Sequence, residues 1–168
     1  LGLDEVATLF HELGHGLHGL LSQVRYPSQA GTSVKQDFVE LPSQIFEHWA
    51  TEPEVLKRYA RHYETGQVIS DALIEKIRAS STFNQGFQTS EYLAAAYLDL
   101  VWHEQAPDAA AGVKALEATE MDRIGLPMTI APRYKSTYFQ HIFAGDHYSA
   151  GYYAYIWAEV LDADGFEA

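Results

Sequence analysis

The strongest constraint on the fold of this chain is a pair of histidines four residues apart near its start. His11 and His15 belong to the pentapeptide His-Glu-Leu-Gly-His, and in an α-helix residues i and i+4 lie on the same face. Apolar residues recur around them at helical spacing, which predicts a helix from Leu3 to about Ser22. Such a helix points both imidazole rings in one direction, toward whatever element packs against that face.

Two imidazoles on one helix face can bind a single Zn²⁺, and a catalytic zinc usually takes a third protein ligand and one water. Glu40, which follows His15 by 25 residues on a second acidic helix, is the candidate third ligand. Asp37 and Glu47 share its helix face and suit hydrogen bonds to the ring nitrogens that point away from the metal. We expect one Zn²⁺ per chain, with Co²⁺ or Mn²⁺ as substitutes in a site of nitrogen and oxygen ligands.

Glu12, inside the same pentapeptide, is the candidate general base. It lies about 100° around the helix from His11, so its carboxylate flanks the metal and does not bind it. From there it can take a proton from an activated water and pass it to a leaving amine. His18 shares the face of the two histidines, but a fourth protein ligand would close the position that catalysis needs, so we place His18 outside the ligand set.

The composition narrows the chemistry of such a site. The chain contains no cysteine, so thiolate ligands and disulfides are excluded, and histidines and carboxylates must hold the metal. A net charge of −12 argues against nucleic acid or an anionic membrane as a partner. No apolar run approaches the roughly 20 residues of a membrane span. With 47% apolar residues, the 168-residue chain is expected to be globular.

The remaining sequence predicts a mainly helical, all-α protein with at most a short strand pair near residues 30–36. A second helix is expected at Asp37–Ala50, and a third is expected to open at Pro53 and to be closed by Gly66. Four more helices are predicted along the rest of the chain: Ser70–Phe83, Ser90–Glu104, Ala109–Ile124 and Ser149–Leu161.

Motifs along the whole chain share the pattern of one known family. They are Phe10–His18, Gly31–Thr32, Asp37–Gln44, Glu47–Thr51, Arg58–Tyr63, Pro132–Tyr134 and Ala150–Trp157. Together they resemble the thimet oligopeptidase (M3) family of zinc metallopeptidases. Within that family they are most similar to the bacterial peptidyl-dipeptidases, and the oligopeptidase A branch is the alternative.

The resemblance implies the same metal site that the residues themselves indicate, with His11, His15 and Glu40 as zinc ligands and Glu12 as catalytic base. It also implies that the chain is part of a larger, almost wholly helical protein whose two halves flank a deep channel. Residues 1–168 would be part of a single metallopeptidase catalytic domain, truncated at both ends. The missing N-terminal part of the same enzyme would then be its partner, so we do not count on activity from this fragment alone.

The resemblance further implies a tyrosine and histidine segment that closes over the substrate. By motif, His141 carries the family histidine, and Tyr148 and Tyr155 are the tyrosines that face the scissile carbonyl, where phenol and imidazole donors can stabilise a developing oxyanion. The family has Gly-Gly before the first tyrosine, whereas this chain reads Gly-Asp-His-Tyr. His147 is therefore the alternative to His141 and a candidate for binding substrate.

Two further residues are candidates for substrate binding. Tyr152 lies in the same aromatic segment, and packing is the alternative role for it, as we prefer for Tyr153 and Trp157. Arg133 is one of only 11 Lys and Arg residues and could pair with the free carboxylate of a peptide. A solvated or ion-paired arginine is the competing interpretation.

These features predict zinc-dependent hydrolysis of short peptides with release of C-terminal dipeptides. An endopeptidase acting on short peptides, like oligopeptidase A, is the first alternative. A non-catalytic helical metal-binding or interaction domain is the remote one, and the presence of Glu12 argues against it because a retired site has no need of a general base. We expect the cytoplasm as the compartment, with the periplasm as the alternative.

Overall fold

The computed structural model describes residues 2–105 and 112–168, which fall into two compact units, 1–83 with 155–168 and 84–154. The α-helices in these ranges are, in chain order, α1 (Leu3–Leu20), α2 (Gln36–Val39), α3 (Leu41–Thr51), α4 (Pro53–Tyr59), α5 (Asp71–Ser81), α6 (Gln85–Glu104), α7 (Val113–Arg123), α8 (Gln140–Phe143) and α9 (Ala154–Glu167). Short 3₁₀ turns lie at Pro27–Gln29, Gly31–Ser33 and Ser136–Tyr138.

The predicted all-α fold is confirmed. In the described ranges, strand-like pairing is limited to one isolated antiparallel bridge between Arg61 and Val68. The strand pair considered near residues 30–36 is absent there, and the segment forms the 3₁₀ turn at Gly31, whose φ of +51° suits glycine. None of the described helices is long and apolar enough to cross a membrane.

The first unit is organised by the packing of α1 on α3, and Gly14 makes that packing close. A Cβ built on Gly14 would stand 2.6 Å from the Cα of Ser43 and 2.9 Å from the carbonyl oxygen of Pro42. No real side chain tolerates such distances from backbone atoms. The glycine costs about 1 kcal/mol of helix propensity relative to alanine, and in return the histidine face of α1 lies directly against the start of α3.

The helix expected at Asp37–Ala50 is broken in two, so that prediction was wrong in one respect. The break falls at Glu40, which ends α2 and precedes α3. Pro42 lies in the first turn of α3 and has no amide to donate to the carbonyl four residues earlier, so one continuous helix cannot run through it. The break turns Glu40 inward, where its side chain is 1% exposed.

The third helix is shorter than predicted. It ends at Tyr59, and the chain then folds back on itself, with the amide of Ile69 donating to the carbonyl of Ala60 at 3.0 Å. Gly66 does not cap the helix; its φ of +69° turns the returning segment. Periodicity could not separate a helix end from this compact loop, because both end on a glycine.

The last helix begins later than predicted, at Ala154 in place of Ser149. Ala150 has a φ of +57°, which is incompatible with a helix, and its amide donates to a side chain of α6. Helix α9 also ends later than predicted, at Glu167 in place of Leu161. The starts of two other helices differ as well. Helix α6 starts five residues before Ser90, and α7 starts at Val113, while the expected residues 109–111 lie outside the described ranges.

Helix α9 is attached to α3 within the first unit. The imidazole of His48 and the buried carboxylate of Asp162 are 2.6 Å apart, and the ring of Phe166 stacks on His48 at 4.7 Å. The side-chain amide of Gln44 donates to the carbonyl of Tyr155 at 3.1 Å. These contacts tie the start and the end of α9 to the helix that follows Glu40.

Candidate metal centre

Three side chains of the first unit converge on one point. Nε2 of His11 and Nε2 of His15 are 3.1 Å apart, and each is 3.3 Å from the same carboxylate oxygen, Oε2 of Glu40. The histidines come from α1, and Glu40 comes from the break between α2 and α3. The close approach at Gly14 brings these two elements together.

The dimensions of this triangle fit a zinc ion. Bonds of about 2.0–2.1 Å to a tetrahedral zinc place neighbouring ligand atoms about 3.3 Å apart, and the three observed separations are 3.1, 3.3 and 3.3 Å. Two neutral imidazoles and one carboxylate are a donor set that zinc accepts. Three protein ligands leave a coordination position open, which a site for hydrolysis needs.

The electrostatics of the cluster also favour a cation. Hydrogen bonding to Glu40 and then to Glu47 raises the pKa of His11 to about 10, although burial of the ring opposes the shift. A buried carboxylate without a positive partner is costly, and Glu40 is 1% exposed. The carboxylates therefore stabilise positive charge at this point, whether it is carried by a proton on His11 or by a metal ion.

Two further groups orient the ligands. Oε1 of Glu47 lies 2.6 Å from Nδ1 of His11, and with Nδ1 as the donor the ring presents the Nε2 lone pair to the cluster. The hydroxyl of Ser43 donates to the backbone carbonyl of Glu40 at 2.8 Å and lies 3.2 Å from Oε2 of the same residue. The sequence interpretation missed Ser43; the signal was a hydroxyl three residues after the candidate ligand, at the start of a helix.

The other residues considered near the metal, Glu12, His18 and Asp37, lie outside the cluster of His11, His15 and Glu40. Glu12 is exposed on α1, beside the ligands and outside their cluster. His18 also lies outside the cluster, and its ring meets Phe38 edge-on at 6.0 Å. Asp37 is exposed on α2, and the contact to the outer nitrogen of His11 comes from Glu47.

The tyrosine and histidine segment belongs to the second unit, except for Tyr155, which belongs to the first. The ring of His141 lies 5.5 Å from that of Tyr148 and 5.7 Å from that of Tyr152. His141 and His147 are both exposed, and these two ring contacts are made by His141. The choice of His141 over His147 as the histidine of the segment stays a prediction.

The side chain of Tyr152 is buried more completely than contact with a substrate requires. It is 3% exposed, and burial raises the pKa of its hydroxyl above the usual range. Its ring packs edge-on against Phe139 at 4.9 Å and against Tyr134 at 6.1 Å. The sequence interpretation did not single out Tyr134, although it stacks on Phe139 at 4.8 Å and contacts His141 at 5.8 Å.

Arg133 is exposed next to this cluster. Its positive charge lowers the pKa of Tyr152, which partly opposes the effect of burial. Its backbone amide donates to the carbonyl of Glu91 at 3.2 Å, so the main chain at this position is tied to α6. The guanidinium group therefore projects from a fixed backbone beside the aromatic segment.

Comparisons with known proteins agree with the site. A family model described as Peptidase family M3 matches residues 1–168. The chain is 49% identical to dipeptidyl carboxypeptidase of Escherichia coli strain K12, with 98% of this chain and 24% of that protein covered. It is 41% identical to oligopeptidase A of the same organism over 97% of this chain and 24% of that protein.

A more distant relative is also named as a peptidase. The mitochondrial intermediate peptidase of Botryotinia fuckeliana is 33% identical over 96% of this chain, which covers 20% of that protein. The chain therefore spans about a quarter or less of the length of these relatives.

Proposed function

Because this chain belongs to peptidase family M3, we propose that it carries the metal centre of a zinc peptidase that releases dipeptides from the C-termini of short peptides. The relatives are named as peptidases, which supports hydrolysis of peptide bonds. The observation that carries zinc dependence is the triangle of His11, His15 and Glu40, whose edges match a tetrahedral zinc site.

The residues around the metal have distinct roles in this proposal. When bound, zinc would polarise the scissile carbonyl and make water a stronger nucleophile. Glu12 accepts a proton from the attacking water and passes it to the nitrogen of the leaving amine. Glu47 keeps the proton of His11 on Nδ1, so that Nε2 stays available as a ligand.

The tyrosine and histidine segment would stabilise the charge that develops on the carbonyl oxygen. Tyr148 and Tyr155 donate through their hydroxyl groups, and His141 donates through its ring N–H. These roles come from the family resemblance. The ring contact between His141 and Tyr148 supports them, since the two donors lie 5.5 Å apart by ring centroid.

The proposed substrate preference rests on the sequence identities to two relatives and on the positive charge of Arg133. The higher identity is to a dipeptidyl carboxypeptidase, at 49% against 41% for oligopeptidase A, which favours release of dipeptides over internal cleavage. Arg133 would then pair with the free carboxylate of the peptide, because a guanidinium can form two parallel hydrogen bonds with it. Other parts of a longer polypeptide would complete the substrate channel.

The test uses the full-length protein that contains this chain, loaded with zinc, and its Glu12→Gln variant. We expect about one zinc per chain in both, but loss of peptide hydrolysis by about 10²-fold or more in the variant, because removal of a general base leaves the metal in place. Substrates are one short peptide with a free C-terminus and the same peptide amidated.

Each outcome decides between the alternatives. Cleavage of the free peptide alone supports the dipeptidase, whereas equal cleavage of both peptides would assign an endopeptidase. Zinc binding without hydrolysis in the wild type would indicate the non-catalytic metal-binding domain. Full activity without bound zinc would contradict the proposal at its base.

A further inference from the structure

One buried carboxylate of the second unit binds the backbone of the aromatic segment. Asp99 lies in the C-terminal half of α6 and is 0% exposed. Its Oδ1 accepts the amide of Ala150 at 2.9 Å, and its Oδ2 accepts the amide of Tyr152 at 2.8 Å. Both carboxylate oxygens are thus used on two amides that lie two residues apart in one short segment.

Two hydrogen-bond partners of Asp99, the amides of Ala150 and Tyr152, lie outside α6. A carboxylate within a helix is costly to bury unless other groups compensate its charge with hydrogen bonds. His103, one turn later on α6, is the local partner, with Nδ1 2.9 Å from Oδ1 of Asp99. The remaining compensation comes from the distant amides, so the segment that donates them is the feature that this residue holds.

That segment has a competing conformation. Its pattern predicts a helix beginning at Ser149, whereas the observed helix begins at Ala154, and Ala150 has the left-handed φ of +57°. An α-helix that began at Ser149 would place these amides in its first turn, where amides lack intrahelical partners. The left-handed Ala150 interrupts such a helix, and Asp99 binds the amides on either side of Gly151 in the resulting turn, in which the amide of Gly151 donates to the carbonyl of Tyr148.

A second contact from α6 fixes the same segment. The hydroxyl of Tyr92 donates to the carbonyl of Tyr152, and their rings stack at 5.3 Å. The ring of His141 then lies beside both Tyr148 and Tyr152. Tyr148 therefore directly precedes a backbone segment held by α6, and its ring lies 5.5 Å from the imidazole of His141.

We propose that Asp99 is a positioning residue for the peptidase reaction: by binding the amides of Ala150 and Tyr152, it fixes the backbone that carries Tyr148 to the scissile carbonyl. The inference rests on the proposed function, since it takes Tyr148 as a donor to the developing oxyanion. Asp99 itself touches neither substrate nor metal, and it acts through the tyrosine.

The substitution Asp99→Asn tests this at nearly constant volume. An asparagine keeps one acceptor oxygen but turns an N–H₂ group toward the second amide, so one of the two hydrogen bonds must break. In the full-length zinc-loaded protein, we expect kcat for a short peptide with a free C-terminus to fall by about 10–10²-fold with KM little changed, because the tyrosine acts in the transition state. Zinc content should not change.

The matched control is Glu120→Gln. Glu120 is another buried carboxylate of the second unit, 4% exposed, and it pairs with Arg123 on α7. Its carboxylate binds Arg123 within α7, whereas that of Asp99 binds the segment at Ala150, so loss of the charge of Glu120 should leave kcat near the wild-type value. A similar fall of kcat in both variants would mean that any buried carboxylate of this unit has the same effect, and the proposal would be overturned.

The double variant separates positioning from general stability. If Asp99 acts through Tyr148, then Asp99→Asn should cost little more once Tyr148→Phe has removed the hydroxyl. If the two losses multiply, Asp99 does not act through this tyrosine. A readout that needs no activity is amide hydrogen exchange, which should become faster at Ala150 and Tyr152 in Asp99→Asn and stay unchanged in Glu120→Gln.

Failure of this inference differs from failure of the proposed function. A wild-type protein that cleaves no peptide removes the proposed function, whatever the exchange data show. An active wild type with unchanged exchange and unchanged kcat in Asp99→Asn overturns the positioning role alone.

Discussion

Gly14 and Ser43 make the closest backbone approach that positions the metal ligands: a Cβ on Gly14 would stand 2.6 Å from the Cα of Ser43. The hydroxyl of Ser43 also lies 3.2 Å from Oε2 of Glu40, the oxygen that faces both histidines. The contact that sets the distance between α1 and α3 therefore also sets the position of the third ligand. A change of that distance should be felt as a change of metal binding.

The substitution Gly14→Ala should destabilise the fold and weaken zinc binding together. Overpacking against backbone costs about 1–3 kcal/mol, which exceeds the gain of about 1 kcal/mol from replacing glycine by alanine in a helix. Denaturant unfolding and zinc content measure the two effects. Gly16→Ala is the control, since a Cβ there meets no atom within 4 Å, and it should stabilise the protein; equal effects of both substitutions would refute the argument.

Removing the carboxylate behind His11 should reduce metal affinity without abolishing it. Glu47→Gln replaces an ionised acceptor of the Nδ1 proton by a neutral amide, and loss of such partners lowers metal affinity by about 10–100-fold. Competition with a chelator of known zinc affinity measures the change. The control is Glu64→Gln. It removes the charge of an exposed carboxylate that is well separated in sequence from the candidate ligands. An unchanged affinity in Glu47→Gln would show that the contact does not tune the site.

Arg133→Ala should discriminate between peptides by their C-termini. If the guanidinium binds the free carboxylate, KM should rise by about 10-fold or more for free peptides, as expected for loss of a hydrogen bond to a charged group, and should not change for amidated ones. The control is Lys135→Ala, which removes the neighbouring exposed cation. Equal effects of Arg133→Ala on both kinds of peptide would show that the arginine has another role.

The stability of the first unit should depend on pH through Glu159. Although Glu159 is exposed, partial loss of hydration, followed by the charges of Asp162 and Glu47, raises the pKa of its carboxyl above the usual value. A folded-state pKa above the unfolded one contributes stability below the usual pKa of about 4.3, and this contribution is lost as the pH rises through the folded value. The ionised form therefore destabilises the native state at neutral pH.

The variant Glu159→Gln should consequently have a higher Tm than the wild type at pH 7, and the difference should disappear near pH 4. Thermal unfolding at a series of pH values measures it. Glu75 on α5 gives the comparison, Glu75→Gln, because it lies apart in sequence from Asp162 and Glu47, and the Tm of this variant should differ little from the wild type at either pH. A wild type that is more stable than Glu159→Gln at neutral pH would contradict the sign of the shift.

The cluster of His11, His15 and Glu40 could be predicted from the sequence as a candidate metal site because local rules bring its histidines together. Spacing alone aligns His11 with His15 on a helix, and the lack of cysteine leaves a carboxylate or another histidine for the third position. The break at Glu40 was missed because Pro42 was assigned to the first turn of the helix expected from Asp37, whereas it lies beyond that turn and its missing amide ends the helix before it. The inward direction of Glu40 depends on the close packing of α1 on α3 at Gly14. Such packing between helices cannot be predicted from a local sequence pattern.

The aromatic segment shows the opposite case. A helical pattern from Ser149 onward predicted a helix start that the structure does not have, since Ala150 has a left-handed φ of +57°. Asp99 binds the amides of Ala150 and Tyr152 in this turn from 51 and 53 residues away in sequence. Such long-range capture of the backbone by one carboxylate cannot be read from periodicity. The burial of Tyr152 has the same origin, because its neighbours come from α6, from Tyr134 and from Phe139.

The short chain separation between the metal ligands has a consequence for the order of folding. His15 and Glu40 are joined by a loop that brings α1 onto α3, and closing a loop of this length costs little entropy compared with long-range contacts. Helix α9 must instead return across more than a hundred residues to place Asp162 on His48. We therefore expect the hairpin of α1 and α3 to form early, where a captured zinc would act as a cross-link, and α9 to dock late.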